Sequence, residues 1–538
     1  MIATLEQENI INYDGNLVTI AKPGSGKTFV LAEKIKRILP KLLEYEGIIA
    51  ISFTNKASEE LKERSLVNGI DKKNSFFGTI HKFYISEIVT SFGKQLFGLP
   101  NNDLKILNFE QDDIDISKLI FLRNLVSSFK YSNTNHTNEL KEMFIQGKVY
   151  LELIEKFAIY IYDNSLSCRK YLQTKYKYII IDEFQDCGAE QYYLFMKLKN
   201  LGLISIAVGD LNQSIYAFTG RTSDYLIKLM KNPTFKSFSL SKNHRCHPSI
   251  INYSLRLMSP NAQLLNTDSI NVFYRKIPGD ESDIAKWIDT ILSTTMKNFN
   301  VVSLSEVAIL TKNYRTAKII DNCLTTPHRL IQQSKLESDN NVSKLFDNIL
   351  KFSFNNENTI IEIIEMFISI DIINSREQKI LIDNFNAIKT YLSNGGNNFN
   401  EIKDSFKRIS DILLPFDDSV FSLNILEQVF QNELFIYSSK LENEIQILTL
   451  HKSKGLEFDI VFHLDLYEWI LPAKRLINRI SEYIAYQQDL NLHYVGITRA
   501  KKACILCTST MRTNHQNRII NSTDSEYFVL NNVNNLSK

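Results

Sequence analysis

The chain lacks an excess of charge of either sign. Its 538 residues carry 62 Lys and Arg against 60 Asp and Glu, a net charge of +2. This excludes a polybasic protein, so any groove for an anionic polymer has to be local. The chain also lacks a disulfide framework. Its six cysteines, Cys168, Cys187, Cys246, Cys323, Cys504 and Cys507, are scattered, which suits a reducing, cytoplasmic location. Cys504 and Cys507 form a CxxC, but it falls inside the apolar run Ala503-Cys504-Ile505-Leu506-Cys507, and no second ligand pair sits at zinc spacing. The pair therefore reads as strand rather than metal site. No apolar run approaches the roughly 20 residues of a membrane-spanning helix. The first residues, Met1-Ile2-Ala3-Thr4-Leu5-Glu6-Gln7, show neither the basic segment nor the apolar core of a signal peptide.

What is present is an ordinary globular composition, 44% hydrophobic and 23% charged, on a chain long enough for roughly three or four domains. Buried-strand patterns alternate with helical ones, the sign of parallel α/β architecture. Strand-like runs are Gly47 to Phe53, Ile204 to Asp210, Glu306 to Leu310, Ile445 to Leu450 and Asp459 to Leu464. Two stretches break the rhythm with helical spacing. One includes Ile116 to Leu122 and Tyr150 to Tyr162, the other Ile360 to Phe367 and Glu377 to Leu392. The segment after Ser509 is Asn-rich and polar, with a brief apolar patch from Tyr527 to Leu530.

Two motifs carry chemistry. The strand-like Leu17-Val18-Thr19-Ile20 leads into Ala21-Lys22-Pro23-Gly24-Ser25-Gly26-Lys27-Thr28, and Phe29 to Ala32 opens an apolar helical stripe. Glycines between a strand and a helix let backbone N–H groups turn around phosphate oxygens at the positive helix end. Lys27 adds a charge near the β/γ-phosphates, and the Thr28 hydroxyl is suited to Mg²⁺. Far downstream, Ile179-Ile180-Ile181-Asp182-Glu183-Phe184-Gln185-Asp186 ends a buried strand in two carboxylates. Asp182 is placed to hold Mg²⁺ and Glu183 to orient and deprotonate an attacking water. A Gly-rich turn and an exposed acidic strand end would explain each motif alone. Together they imply Mg²⁺ and a nucleoside triphosphate.

Further segments occur in a recognisable order: Phe53-Thr54-Asn55-Lys56-Ala57, Gly78-Thr79-Ile80-His81, Gly209-Asp210-Leu211-Asn212-Gln213-Ser214-Ile215-Tyr216, Asn243-His244-Arg245, Leu450 to Phe458, and Tyr494-Val495-Gly496-Ile497-Thr498-Arg499-Ala500. From Gln7 to Lys502 this set resembles the UvrD/Rep family of superfamily 1 helicases. The resemblance implies two RecA-like parallel-sheet lobes, each with a mainly helical insertion. Residues 1–87 and 176–248 would form the first lobe, 88–175 its insertion, 249–325 and 444–538 the second lobe, and 326–443 a reduced insertion. It implies that Gln7 reads adenine, His244 stacks on the base where the family has tyrosine, and Glu457 holds the ribose. Gln213 would sense the γ-phosphate, and Arg245 and Arg499 would reach it from the second lobe as arginine fingers. Phe53, Thr54, Thr79, His81 and His451 would line a DNA groove, with Tyr216 and Phe218 as stacking platforms. Thr219 stands where an arginine is usual.

The activity implied is that of an ATP-dependent translocase on single-stranded or tailed duplex DNA, moving 3′→5′. The short form is also similar to the compact UvrD-like subunits of Gabija-type anti-phage systems. That likeness implies a DNA-sensing NTPase working beside an OLD-family nuclease.

Overall fold

In the computed structural model of the chain, residues 3–538 are described apart from 103, 108, 110–113, 214–222, 332–333, 338–339, 356–358, 369–372, 416, 438–442, 478–479 and 515–517. Two six-stranded sheets organise it. The first contains β1 (Leu17–Ala21), β2 (Gly47–Ile51), β3 (Phe76–Gly78), β4 (Tyr176–Ile181), β5 (Ile204–Gly209) and β6 (Lys236–Leu240), in the order β3-β2-β4-β5-β1-β6. Every pairing is parallel. The second contains β7 (Val272–Ile277), β8 (Val307–Thr311), β9 (His328–Leu330), β10 (Ile445–Thr449), β11 (Phe458–His463) and β12 (Ala500–Ser509), in the order β9-β10-β8-β11-β12-β7, again all parallel. The two-lobe α/β architecture expected from the strand–helix alternation is present. Cys504 and Cys507 are buried within β12.

Parallel sheets need both faces covered, so their central strands are largely apolar. β2 and β8 are buried at every position. α2 (Lys27–Ile38) covers the first sheet with Val30, Leu31, Ile35 and Ile38, and Lys34 is buried on the same helix. Because all strands of a sheet run one way, their carboxyl ends share one rim, where ligands of open α/β sheets bind.

The chain divides into two compact units. One comprises Met1–Phe92, Glu155–Leu330 and Glu442–Lys538, and holds both sheets. The other comprises Gly93–Ile154 and Ile331–Leu441. Its larger part is helical, with Leu345, Phe346, Ile349, Phe385, Ile388, Phe406, Ile409 and Leu426 in one core. The helical reading of Tyr150 to Tyr162 needs correction at its start. Lys148–Tyr150 is a strand beside Lys105–Leu107, and the helix spans Ile154–Asn164. Tyr150 pairs with Leu107 in these strands, and a single 3₁₀ turn at Leu151–Leu153 leads from them into the helix.

The Asn-rich C-terminal segment is more ordered than its composition suggests. Tyr527 is fully buried, and the backbone of Lys538 exchanges hydrogen bonds with Val272 and Tyr274. Among the described residues, no helix is long and apolar enough to cross a membrane.

Candidate nucleotide and nucleic-acid site

The loop after β1 turns on two glycines. Gly24 has φ +68° and Gly26 φ +83°, left-handed values that L side chains rarely adopt. Neighbouring side chains also crowd both positions. A Cβ on Gly24 would lie 2.6 Å from Arg245 Cβ, and one on Gly26 2.7 Å from Gln7 Nε2. Close approach of other motifs thus selects glycine here. Gln7 belongs to α1 (Leu5–Asn12). Its amide nitrogen donates to Ser25 O at 3.0 Å, and its amide oxygen accepts from Thr4 N–H at 2.9 Å.

Lys27 opens α2 and pairs with Glu183, Nζ to Oε1 2.9 Å. Burial by itself would lower the Lys27 pKa, but the charges of Glu183, Asp182 and Asp210 outweigh it and hold the pKa above the ordinary value. Burial, followed by the neighbouring Glu183 charge, raises the Asp182 carboxyl. Glu183 goes the other way: burial opposes it, yet Lys27, Lys454 and the Gln185 amide hold it below the usual range. Glu183 also has φ +54°, a left-handed backbone on a non-glycine residue. Such strain clusters at functional positions.

A relay of hydrogen bonds leaves this pair. Gln185 Nε2 donates to Glu183 Oε2, and Gln185 Oε1 accepts from Asp210 N–H at 3.0 Å. Asp210 Oδ2 then accepts from Gln213 Nε2 at 2.8 Å. Asp182, Asp210 and Gln213 lie just beyond the carboxyl ends of β4 and β5. From the second lobe, Lys454 pairs with Asp186 and donates to Gln213 O at 3.0 Å. Gln185, Asp210, Asp186 and Lys454 received no role from sequence reasoning. The available signal was their position inside motifs already singled out.

The segment after β6 is wired to the phosphate loop. Asn243 Nδ2 donates to Pro23 O at 2.8 Å, and His244 N–H to Gly24 O at 2.8 Å. Asn243 Oδ1 accepts from the backbone of Arg245 and Cys246. Arg245 therefore stands on the first sheet's side of the site and does not reach over from the second sheet. Its guanidinium pairs with Glu457. Arg499 is in the second lobe, after the helix Tyr486–Ile497, and is 2% exposed. It donates to Val495 O, Leu456 O and Thr498 Oγ1 at 3.1, 3.1 and 3.3 Å, three of its five donors. Burial, and then the Arg245 charge, lower its pKa to about 10.

Phe53, Thr79 and His81 come together. With Ser52, Cys187 and Gln191 they line a cavity of about 150 Å³ at the ends of β2, β3 and β4. Thr54 and His451 are not among its lining residues. Thr54 Oγ1 caps α3 (Asn55–Ser65) by accepting from Ala57 N–H at 3.1 Å. His451 is half-buried, and burial and then Lys312 lower its pKa. Tyr216, Phe218 and Thr219 lie outside the described residues.

Among the described residues, no group of three or more His, Cys, Asp or Glu could hold a metal alone. Mg²⁺ keeps several waters and is ordinarily held by one or two carboxylates plus substrate phosphates. Asp182 uses one oxygen to accept from Glu183 N–H at 2.8 Å, and with Thr28 it supplies the hard oxygen donors such an ion takes.

A glycine loop on a parallel sheet, joined to an acidic strand end and faced by a second sheet of the same kind, defines a two-lobed P-loop nucleoside triphosphatase. A family model described as an AAA domain matches residues 7–219, and one described as a UvrD-like helicase C-terminal domain matches 396–511. The chain is similar to the Gabija protein GajB of Bacillus cereus (strain VD045), 28% identical over 517 residues, covering 93% of this chain and 94% of that one. It is 25% identical over 600 residues to DNA helicase II of Rickettsia typhi, with 92% and 90% covered. With the ATP-dependent DNA helicase Rep of Buchnera aphidicola subsp. Acyrthosiphon pisum it shares 24% over 634 residues, with 96% of each covered. Over more than nine-tenths of its length the chain is thus similar to UvrD/Rep-like superfamily 1 helicases, and it is an ATP-dependent enzyme of helicase type, a DNA-dependent ATPase.

Proposed function

We propose that the protein is a translocase on single-stranded DNA that moves 3′→5′ and couples each ATP cycle to a step. The observation that carries this reading is the relay from Lys27 through Glu183, Gln185 and Asp210 to Gln213. Gln213 immediately precedes the segment bearing Tyr216 and Phe218. A change at the phosphate loop is thereby passed to the residues proposed to stack on bases.

In this reading ATP competes for groups that are paired with one another. The triphosphate draws Lys27 from Glu183, and Glu183 is then free to accept a proton from the attacking water. Ribose takes Glu457 and the γ-phosphate takes Arg245, separating that pair in turn. Arg499 leaves its carbonyl partners to join it. Gln7 reads the adenine edge and His244 stacks on its face. Thr28 and Asp182 would hold Mg²⁺, which would neutralise phosphate charge when bound. Phe53, Thr54, Thr79, His81 and His451 grip the strand. Unwinding assays on duplexes with a 3′ or a 5′ tail test the proposal. Translocation predicts ATP-dependent opening of the 3′-tailed substrate, and opening of only the 5′-tailed one refutes the direction.

A second reading is favoured by the alignments. GajB aligns over 517 positions, whereas DNA helicase II needs 600 and Rep 634, more than the 538 residues of this chain. The helicases thus carry segments for which this chain has no counterpart. This supports a compact, DNA-sensing NTPase subunit in cytoplasmic anti-phage defence, partnered by an OLD-family nuclease. ATP hydrolysis by the isolated chain without unwinding, and an effect on DNA only with an added nuclease subunit, would favour it over the lone motor.

A further inference from the structure

Lys34 is a buried lysine with an unusual set of partners. It is 2% exposed. Its ammonium donates to Ile10 O at 2.9 Å, Ile11 O at 3.4 Å and Tyr13 O at 2.6 Å. Three donors thus meet three carbonyls, and among the described residues no carboxylate pairs with it. Burial pushes its pKa down to about 8, with Asp14 opposing the shift.

These carbonyls are the C-terminal end of α1, the helix that carries Gln7. Eight residues make a helix too short to stand alone, and its last carbonyls have no partners within it. A cation there satisfies them and suits the negative end of the helix. The amino end of α1 is anchored separately, with Glu6 accepting from the Ser241 backbone N–H at 2.9 Å and from its hydroxyl. Arg37 reaches Asn12 beside the Lys34 clamp. Lys34 lies two turns along α2 from Lys27, about 10 Å on the same face of one rigid helix. The helix that presents a charge to the phosphates therefore also grips the helix that presents an amide to the base.

We propose that Lys34 is a positioning residue for nucleobase selectivity, holding α1 in register with the phosphate loop so that Gln7 meets adenine. This rests on the reading of Gln7 as the base-recognising group. Without the clamp α1 shifts, the triphosphate still finds the loop, and adenine loses its advantage over guanine.

The test is steady-state hydrolysis of ATP and of GTP by the full-length chain with Lys34→Met, Lys34→Arg and Gln7→Ala. Lys34→Met should raise KM for ATP about tenfold, with a much smaller fall in kcat and little change in KM for GTP. Lys34→Arg should restore the preference for ATP, since a guanidinium can donate to the same carbonyls. If Lys34→Met fails to fold by circular dichroism, Lys34→Gln carries the same comparison. Loss of the ATP preference in both Gln7→Ala and the Lys34 variant supports the proposal. Loss in Gln7→Ala alone overturns the Lys34 assignment and leaves the reading of Gln7 intact. Retention in both overturns both. An equal rise in KM for the two nucleotides in Lys34→Met means general damage to the loop and also overturns it.

Discussion

Lys27 and Glu183, 156 positions apart in sequence, form an ion pair of 2.9 Å at the centre of the nucleotide site. The phosphate-binding cation and the proposed base therefore hold each other until substrate separates them. Glu183→Gln should lower ATP turnover about 10²–10⁴-fold, because an amide cannot take the water's proton. ATP affinity should hold or rise, since Lys27 is released. Lys27→Ala should instead lose binding. Phosphate-release kinetics with calorimetric titration check both, and near-normal turnover in Glu183→Gln would remove it as the base.

Arg245→Ala and Arg499→Ala should each slow hydrolysis far more than they weaken ATP binding, since arginine fingers elsewhere contribute about 10³–10⁵ in rate. Equal losses in kcat and affinity would point to a role in ground-state binding or folding instead. For Arg499 a folding role is the competing expectation, because it is buried among carbonyls. Melting temperatures of the variant decide between the two.

Lys454 joins Asp186 and Gln213 across the two lobes. Lys454→Ala should cut the stimulation of hydrolysis by single-stranded DNA more than it cuts the basal rate. Parallel loss of both would show that the contact only supports folding.

Tyr216→Ala and Phe218→Ala should each weaken single-strand binding by about 1–3 kcal/mol, whatever the base sequence. Binding should also fall steeply with salt through counter-ion release. Oligonucleotide titrations at several ionic strengths check this, and unchanged affinity in both variants would assign the aromatics to the core.

Stability should fall on mild acidification. His493 Nδ1 and His463 Nε2 lie 3.0 Å apart in the second lobe. Burial lowers His463 from 6.5 to about 4. Burial, and then His463, lower His493 well below 6.5. The unfolded chain binds protons that the folded chain refuses, so stability present above pH 6.5 is lost as pH falls toward 4. Denaturant midpoints measured across that range should drop less steeply in His493→Gln than in the wild type.

Much of this molecule was legible in the sequence because short-range chemistry demands it. A phosphate loop needs small residues, a lysine and a hydroxyl in fixed succession, and a buried parallel strand is apolar at every position. Thus Gly24 to Thr28, Asp182, Glu183 and the strands around them could be read directly, whereas the cavity that Phe53, Thr79 and His81 share could not, since the family resemblance implied those residues only as part of a DNA groove. Nor could the partners of the charged groups. Lys27 with Glu183, Arg245 with Glu457 and Lys454 with Asp186 are pairs far apart in the chain, joined only when strand carboxyl ends gather on one rim. The same holds for Lys34, which in sequence is one polar residue in an amphipathic helix. It acquires three carbonyl partners only because α1 ends against α2. The Asn-rich C-terminal segment is a further case. Its sequence shows only polar, Asn-rich character with a brief apolar patch, and Tyr527 of that patch finds the ring of His493 at 5.7 Å, stacked within 9°. Local pattern specified the strands and the phosphate loop, because a few neighbouring residues suffice to make them. Pairing, burial and the direction of each pKa depended on the tertiary fold, because charges and rings act through space.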